Sequence, residues 1–339
     1  MRTKEFKEFL NRYLQINKIL KAIFFEGPPG IGKTEIILQL AKKLDYNAVI
    51  VHLGTKTIEY LSGLPMFAET SDGKRITVWS IPEIVSLCNT GKKTILFFDD
   101  IHLASEIVIK ILFEALTDRS IHSVKLNDNV KIIAAMNKIE SSMGSTITEI
   151  PEPVRNRYVK IDVEPELNDW LEYATLTNVD PLIVSFLNFD KTCLYVSPEN
   201  ETSQFATPRS WVTLSEYITS GFELDSELVF GIIGKKVGVK FMSYYQVFIK
   251  YENNPIKKWK DLKTYKDKMS YCAYLSRKLS PTLLNTYIDD MIKDDDIITF
   301  LLLTIRRYVS NMDKFNDKEQ AIMAKITENP IIMEKLNKV

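Results

Sequence analysis

The sequence predicts an α/β domain built on a parallel sheet, followed by a helical region. Three observations carry this. An apolar run, Ala22-Ile23-Phe24-Phe25-Glu26, enters a glycine loop and then a segment from Thr34 to Leu44 with helix-spaced apolar residues. Two more apolar runs end in polar residues: Ile95-Leu96-Phe97-Phe98 before Asp99-Asp100, and Ile132 to Met136 before Asn137. Unbroken apolar runs of this length suit strands covered on both faces. From Glu164 onward the apolar spacing is helical.

The loop itself, Gly27–Thr34, reads GPPGIGKT and fits G-x-x-x-x-G-K-[ST] without a mismatch. Gly27, Gly30 and Gly32 allow a tight turn that aims backbone N–H groups at a polyphosphate, and the helix N-terminus adds partial positive charge. Lys33 is expected to reach the β- and γ-phosphates, and Thr34 to place its hydroxyl on Mg²⁺. Pro28, Pro29, Ile31 and Glu35 complete the expected nucleotide-binding stretch. Asp99 would hold the same Mg²⁺, through water. Asp100 would orient or deprotonate the attacking water. Asn137 would touch the γ-phosphate, hold the water, or simply make a turn.

The chain has 339 residues, enough for two or three domains, and 45% are hydrophobic, enough for a sizeable core. Lys+Arg and Asp+Glu both number 44, so no global charge argues for a nucleic-acid or membrane surface. Cys88, Cys193 and Cys272 lack metal spacing and are expected to be reduced core thiols. The opening Met1–Phe6 lacks a signal peptide's apolar run, and no apolar stretch would span a bilayer, so a cytoplasmic location is expected.

In chain order, residues 4–20 read as a helix packed on the first domain. Ala48 to Leu53 reads as a strand, with His52 as a strand-end residue rather than a ligand. Residues 63–79 form a hairpin around Ser71-Asp72-Gly73. Pro82 opens a short helix, another starts at Ser105, and residues 120–130 hold a second hairpin. Arg155 and Arg157, before the strand Val159–Val163, are surface residues or reach a phosphate on a neighbouring subunit. Thr207 caps a helix with Pro208 at its first position, so Arg209 opposes the helix dipole and points to an anionic partner. Residues 255–278 hold eight Lys/Arg with Trp259, Tyr265, Tyr271 and Tyr274 interleaved. That pattern reads as a solvated helical face with aromatics inward, ahead of a nucleic-acid face.

GPPGIGKT, ILFFDD, IIAAMN, PVRNRY and FATPRSW, in that order, resemble the AAA+ ATPases of the MoxR-like, helix-2-insert (dynein-related) group that carry a TPRSW motif. The resemblance covers roughly residues 20–254. It implies a P-loop NTPase sheet of order 5-1-4-3-2 in residues 1–164, a helical lid in 165–254 and a helical extension in 255–339. It also implies Asn137 as sensor 1, Arg157 or Arg155 as arginine finger, Arg209 as sensor 2, and 63–79 as the helix-2 insert. ATP and Mg²⁺ are the implied cofactors. A hexameric ring acting on a protein partner, often one with a von Willebrand factor A domain, is the implied assembly. One departure is Asp100, where the family usually has Glu; the shorter side chain argues for slow hydrolysis or for a partner that closes the site. The competing readings are a nucleic-acid motor or loader, and a nucleotide switch that barely turns over.

Overall fold

The computed structural model describes residues 1–137, 152–197, 203–295 and 297–336; Pro151, two residues ahead of the PVRNRY motif, lies outside these. The chain divides into two compact units, Met1–Glu164 and Pro165–Val339.

The first unit holds a five-stranded parallel sheet in the order β2-β5-β8-β1-β9. Its strands are β1 (Ala22–Gly27), β2 (Asn47–His52), β5 (Thr94–Asp99), β8 (Val130–Asn137) and β9 (Tyr158–Asp162). Counting only these five, the order is 5-1-4-3-2, as expected. The pleat sorts their side chains onto two faces. Phe24, Leu96, Phe98, Ile132 and Ala134 join one apolar cluster, and Phe25, Ile95, Phe97, Ile133 and Ala135 the other. Helices α1 (Thr3–Gln15) and α2 (Lys33–Lys43) cover the second face. Helices α3 (Ile58–Ser62), α4 (Glu83–Cys88) and α5 (Glu106–Thr117) cover the first. Burial on both sides explains why β5 and β8 are continuous apolar runs. The outer strand β9 is half exposed, and its Lys160 pairs with Glu26 of β1. A charged edge of this kind discourages further strand pairing. Helix α1 stops at Gln15, short of the expected residue 20, and the carbonyls of Ile16 and Lys18 instead accept from the Lys131 ammonium.

Two hairpins interrupt the α/β alternation: β3 (Pro65–Glu69) with β4 (Arg75–Trp79), and β6 (Ser120–Ile121) with β7 (Val124–Lys125). The first is closed at its base, where Leu64 N–H donates to Ser80 Oγ at 2.8 Å and Ser80 N–H to Leu64 O at 2.9 Å. Gly63 has φ 76°, and a Cβ there would lie 2.1 Å from Ser80 O, so this corner requires glycine.

The short α6 (Glu152–Arg155) precedes β9. The second unit is helical: α7 (Leu167–Leu176), α8 (Pro181–Phe189), α9 (Pro208–Thr219), α10 (Ser226–Ile233), α11 (Lys235–Asn253), α12 (Tyr265–Lys278), α13 (Pro281–Met291), α14 (Ile298–Val309), α15 (Asp317–Thr327) and α16 (Pro330–Leu336). Asp180, Thr207, Asp225, Thr264, Ser280 and Asn316 each accept a first-turn N–H, which is why the helices begin where they do. Helix α8 is buried almost throughout, with Phe186 against Trp211, Phe241 and Tyr244. Arg277 of α12 bonds Asp180, the cap of α8, at 2.7 Å. Residues 165–254 and 255–339, expected as a lid and an extension, therefore share one apolar core. Trp259, Tyr271 and Tyr274 are buried in that core, and Tyr265 is 37% exposed. The basic segment thus keeps most of its rings from base stacking. Among the described residues no helix is long and apolar enough to cross a membrane.

Candidate active site

The C-terminal ends of parallel strands are where an open α/β sheet gathers ligand-binding groups. Here β1 ends in the glycine loop, β5 in Asp99-Asp100, β8 in Asn137 and β2 in His52. Register sets the neighbours: Gly27 pairs with Asn137, and His52 with Asp99. Four strands therefore deliver their last side chains to one edge.

The loop has the backbone its glycines allow. Gly30 and Gly32 have φ of 75° and 90°, where an L side chain is strained. Gly27 needs glycine for space, since a Cβ would meet Val163 O at 2.6 Å and Ile31 Cδ1 at 2.7 Å. Lys33 opens α2 and is 7% exposed. Its ammonium donates to Gly27 O and Pro28 O at 3.0 Å and to Asn137 Oδ1 at 2.6 Å. Thr34 Oγ1 donates to Asp99 Oδ2 at 2.6 Å, and Asp99 Oδ1 accepts the Asp100 N–H at 3.0 Å. Pro28 and Pro29 are half-buried in the loop, and Ile31 packs in the apolar cluster of the α2 face. Glu35 is exposed on α2, where its side chain accepts from Gln39 Nε2 at 2.8 Å.

Asp100 is half-buried and left-handed, with φ 55° and ψ 45°. Short polar residues tolerate this conformation best, yet it still costs free energy, and such strain collects at functional sites.

The sequence reading set His52 aside as a strand-end residue rather than a ligand, and did not single out His102. His52 Nδ1 lies 3.7 Å from Asp99 Oδ2, and His52, Asp99 and Asp100 each present a ligand atom within 4.8 Å of the others. His102 is 8% exposed beside Asn137, whose backbone N–H donates to His102 Nδ1 at 3.3 Å. Its Nε2 lies 3.2 Å from Asn137 Nδ2. Burial lowers the His102 pKa below the usual imidazole value; Asp100 opposes this, Lys33 adds to it and Asp99 opposes it. The signal for His52 was its place at a strand end, which gains meaning only once β2 is known to pair with β5.

The arginines stand elsewhere. Arg155 and Arg157 are exposed around the start of β9, where Tyr158 pairs with Ala22. Gly27 is five positions further along β1, about 17 Å at roughly 3.3 Å per residue. They lie toward the opposite end of the sheet from the loop. Arg209 is exposed in the first turn of α9, in the second unit.

Thr34 and Asp99 form a hard-oxygen pair of the kind magnesium takes, at the start of the helix that the glycine loop enters. The donor set fits Mg²⁺ and a polyphosphate.

Comparison with known proteins agrees with this geometry. Residues 22–156 match the AAA domain of the dynein-related subfamily. The similarity to that domain is confined to this segment. A midasin from Giardia intestinalis is 24% identical over 178 residues, 49% of this chain and 4% of that one. The Holliday junction branch migration complex subunit RuvB of a Nitratiruptor species is 29% identical over 112 residues, 33% of this chain and 27% of that one. The chain thus spans a small part of either relative. A mutant RuvB structure from Thermotoga maritima aligns with a TM-score of 0.41 at 15% identity, covering 74% of this chain and 75% of that one. The matched segment ends at residue 156, just before β9, so the helical unit is outside it.

Proposed function

We propose that the chain is a Mg²⁺-dependent ATPase of the MoxR-like, helix-2-insert group, working as a hexameric ring that remodels a protein partner. The observation that carries the catalytic part is the convergence of Lys33, Thr34, Asp99, Asp100 and Asn137 on one sheet edge. Lys33 binds the phosphates, and Thr34 and Asp99 hold the Mg²⁺, which would supply charge neutralisation on them. Asp100 takes the proton of the attacking water. Asn137 positions that water or the γ-phosphate. Arg209 serves as sensor 2 from its exposed helix start. Lys33→Ala should abolish measurable ATP affinity in calorimetry, and undiminished binding would sink the assignment.

The ring is supported by the place of Arg157 and Arg155, which are too far along the sheet to serve their own loop. A neighbouring copy's nucleotide is the phosphate they would reach. The protein partner is supported by the β3–β4 hairpin. Phe67 is 86% exposed, Met66 55% and Trp79 49%, with Trp79 edge-on to His122 at 4.6 Å. Trp79 pairs with Pro65, so Phe67 and Trp79 lie on one face of the hairpin and Met66 on the other; large apolar residues left exposed on a hairpin mark an interaction surface, and flexible Met adapts to varied partners. A partner with a von Willebrand factor A domain is the expected type. Replacing Glu69–Lys74 by a Gly/Ser turn should spare nucleotide binding and assembly but cut partner-stimulated turnover. Survival of stimulated turnover would move the partner site elsewhere.

A nucleic-acid motor is the second reading, favoured by the similarity to RuvB, a subunit of a Holliday junction branch migration complex. Salt-dependent DNA binding, with a slope in log K against log salt, would establish it. The inward rings of 259–274 favour the protein partner.

A further inference from the structure

His102 sits on the short turn Ile101–Leu103 that follows the strand bearing Asp99. Both of its ring nitrogens face nitrogen atoms of Asn137, at 3.3 and 3.2 Å. The other end of the Asn137 amide, Oδ1, accepts from the Lys33 ammonium at 2.6 Å. A neutral imidazole has one N–H and one lone pair. With the proton on Nε2, Nδ1 accepts the Asn137 backbone N–H, but Nε2–H faces the Asn137 NH₂. With the proton on Nδ1, Nε2 accepts from that NH₂, but Nδ1–H faces the backbone N–H. Each tautomer sets one donor against another. Turning the amide over satisfies Nε2–H, yet sets NH₂ against the Lys33 ammonium. The three groups cannot all be satisfied while Lys33 holds Asn137.

They are all satisfied once Lys33 bonds a phosphate instead. Nε2–H of His102 then donates to Asn137 Oδ1, Nδ1 keeps the backbone N–H, and the Asn137 NH₂ turns to the side Lys33 has left. That is the side from which a γ-phosphate or its attacking water would be met. We propose that His102 is a positioning residue that turns the Asn137 amide into its working orientation when Lys33 moves onto nucleotide. The proposal rests on reading Gly27–Thr34 as the nucleotide loop. His102 touches neither phosphate nor water; it acts through Asn137.

The test is steady-state ATP hydrolysis and calorimetric ATP binding by full-length wild type, His102→Leu, His102→Gln, Asn137→Ala and the His102→Leu/Asn137→Ala double variant. His102→Leu should lower kcat about tenfold or more, with ATP Kd within about threefold of wild type, since general positioning effects act on the transition state. His102→Gln can donate from near the Nε2 position and should recover most of kcat. The double variant should be no slower than Asn137→Ala, because groups that act as a unit are non-additive. Multiplying losses in the double variant, absence of rescue by Gln, or a loss of binding matching the loss of kcat would each overturn the proposal. Wild-type protein that neither binds nor cleaves ATP would overturn the loop assignment instead. Wild-type activity with His102→Leu unaffected would sink the role of His102 alone.

Discussion

Asp100 combines a proposed chemical role with a backbone cost, and the two separate by mutation. Its φ of 55° and ψ of 45° place it in the left-handed region. An L residue pays roughly 1–2 kcal/mol there because its Cβ crowds a carbonyl oxygen; Asp recovers part of that by local hydrogen bonding, and glycine avoids the clash. Asp100→Ala keeps the Cβ and loses the recovery. Asp100→Gly removes the Cβ but gains unfolded-chain entropy, which takes back part of the benefit. The side chain is only half-buried, so little packing changes in either variant. The Gly variant should therefore exceed the Ala variant in stability by about 1 kcal/mol, or about 2–4 °C in Tm for a unit of this size. Thermal unfolding followed by circular dichroism, without nucleotide, reads this difference. Both variants should still bind ATP and lose hydrolysis by roughly 10²–10⁴, the usual worth of a general base. Asp100→Glu keeps the carboxylate, extends it by one methylene and should raise turnover at a small cost in Tm. An Ala variant that melts with or above the Gly variant would refute the strain argument. Wild-type hydrolysis by either would refute the role of the carboxylate.

Three further outcomes are expected. Gly27→Ala forces a Cβ against the Val163 carbonyl, itself fixed by the Val163 N–H to Glu26 O bond of 2.7 Å, so it should cost about 1–3 kcal/mol and weaken nucleotide binding; a wild-type Tm in scanning calorimetry would contradict the close approach. Arg157→Ala should bind ATP without cleaving it, a loss of roughly 10³–10⁵ if it acts as an arginine finger. Mixed with Lys33→Ala subunits it should recover only the activity that chance pairing of intact sites allows, and a monomer in light scattering with ATP present would contradict the shared site. Cys88, Cys193 and Cys272 are all buried, and burial pushes the Cys88 thiol up to about 12 and holds Cys272 above its ordinary value. Burial raises Cys193 to about 11, with Asp190 adding to it. All three should resist a thiol-specific dye at pH 8 until the protein unfolds; fast labelling of native protein would place a thiol at the surface.

What the sequence disclosed follows from where each signal resides. The strands β5 and β8 were legible because burial on both faces demands unbroken apolar runs. The loop's shape was legible because a tight passage from strand to helix needs Gly27, Gly30 and Gly32 at fixed spacing along one segment. His52 was not, since its meaning depends on a partner 47 positions away, brought opposite by the β2–β5 register. His102 was hidden for the same reason, with its contact at the end of β8. The expected division at residue 254 rested on the extent of the family resemblance; helical periodicity shows that a helix has a buried face and not what fills it. Asp180 and Arg277 show the difficulty, because a cap on α8 and a basic residue on α12 each look like surface features until they meet.

The hydrogen bonds of Lys33 also constrain how the site can respond to its ligand. A buried ammonium without acceptors would be costly, and Gly27 O, Pro28 O and Asn137 Oδ1 remove that cost. A phosphate must compete with these three oxygens, so affinity reflects the difference between two sets of charge-assisted bonds rather than the sum of new ones. Two of the competing oxygens belong to the loop backbone and would be released in place. The third belongs to a side chain at the end of β8, and its release frees a group that can turn. The same exchange applies at Thr34, whose hydroxyl donates to the carboxylate next to Asp100. On the proposed reading, arrival of nucleotide would be linked to the strand end that carries Asn137 and to the turn that carries Asp100 and His102 through these bonds.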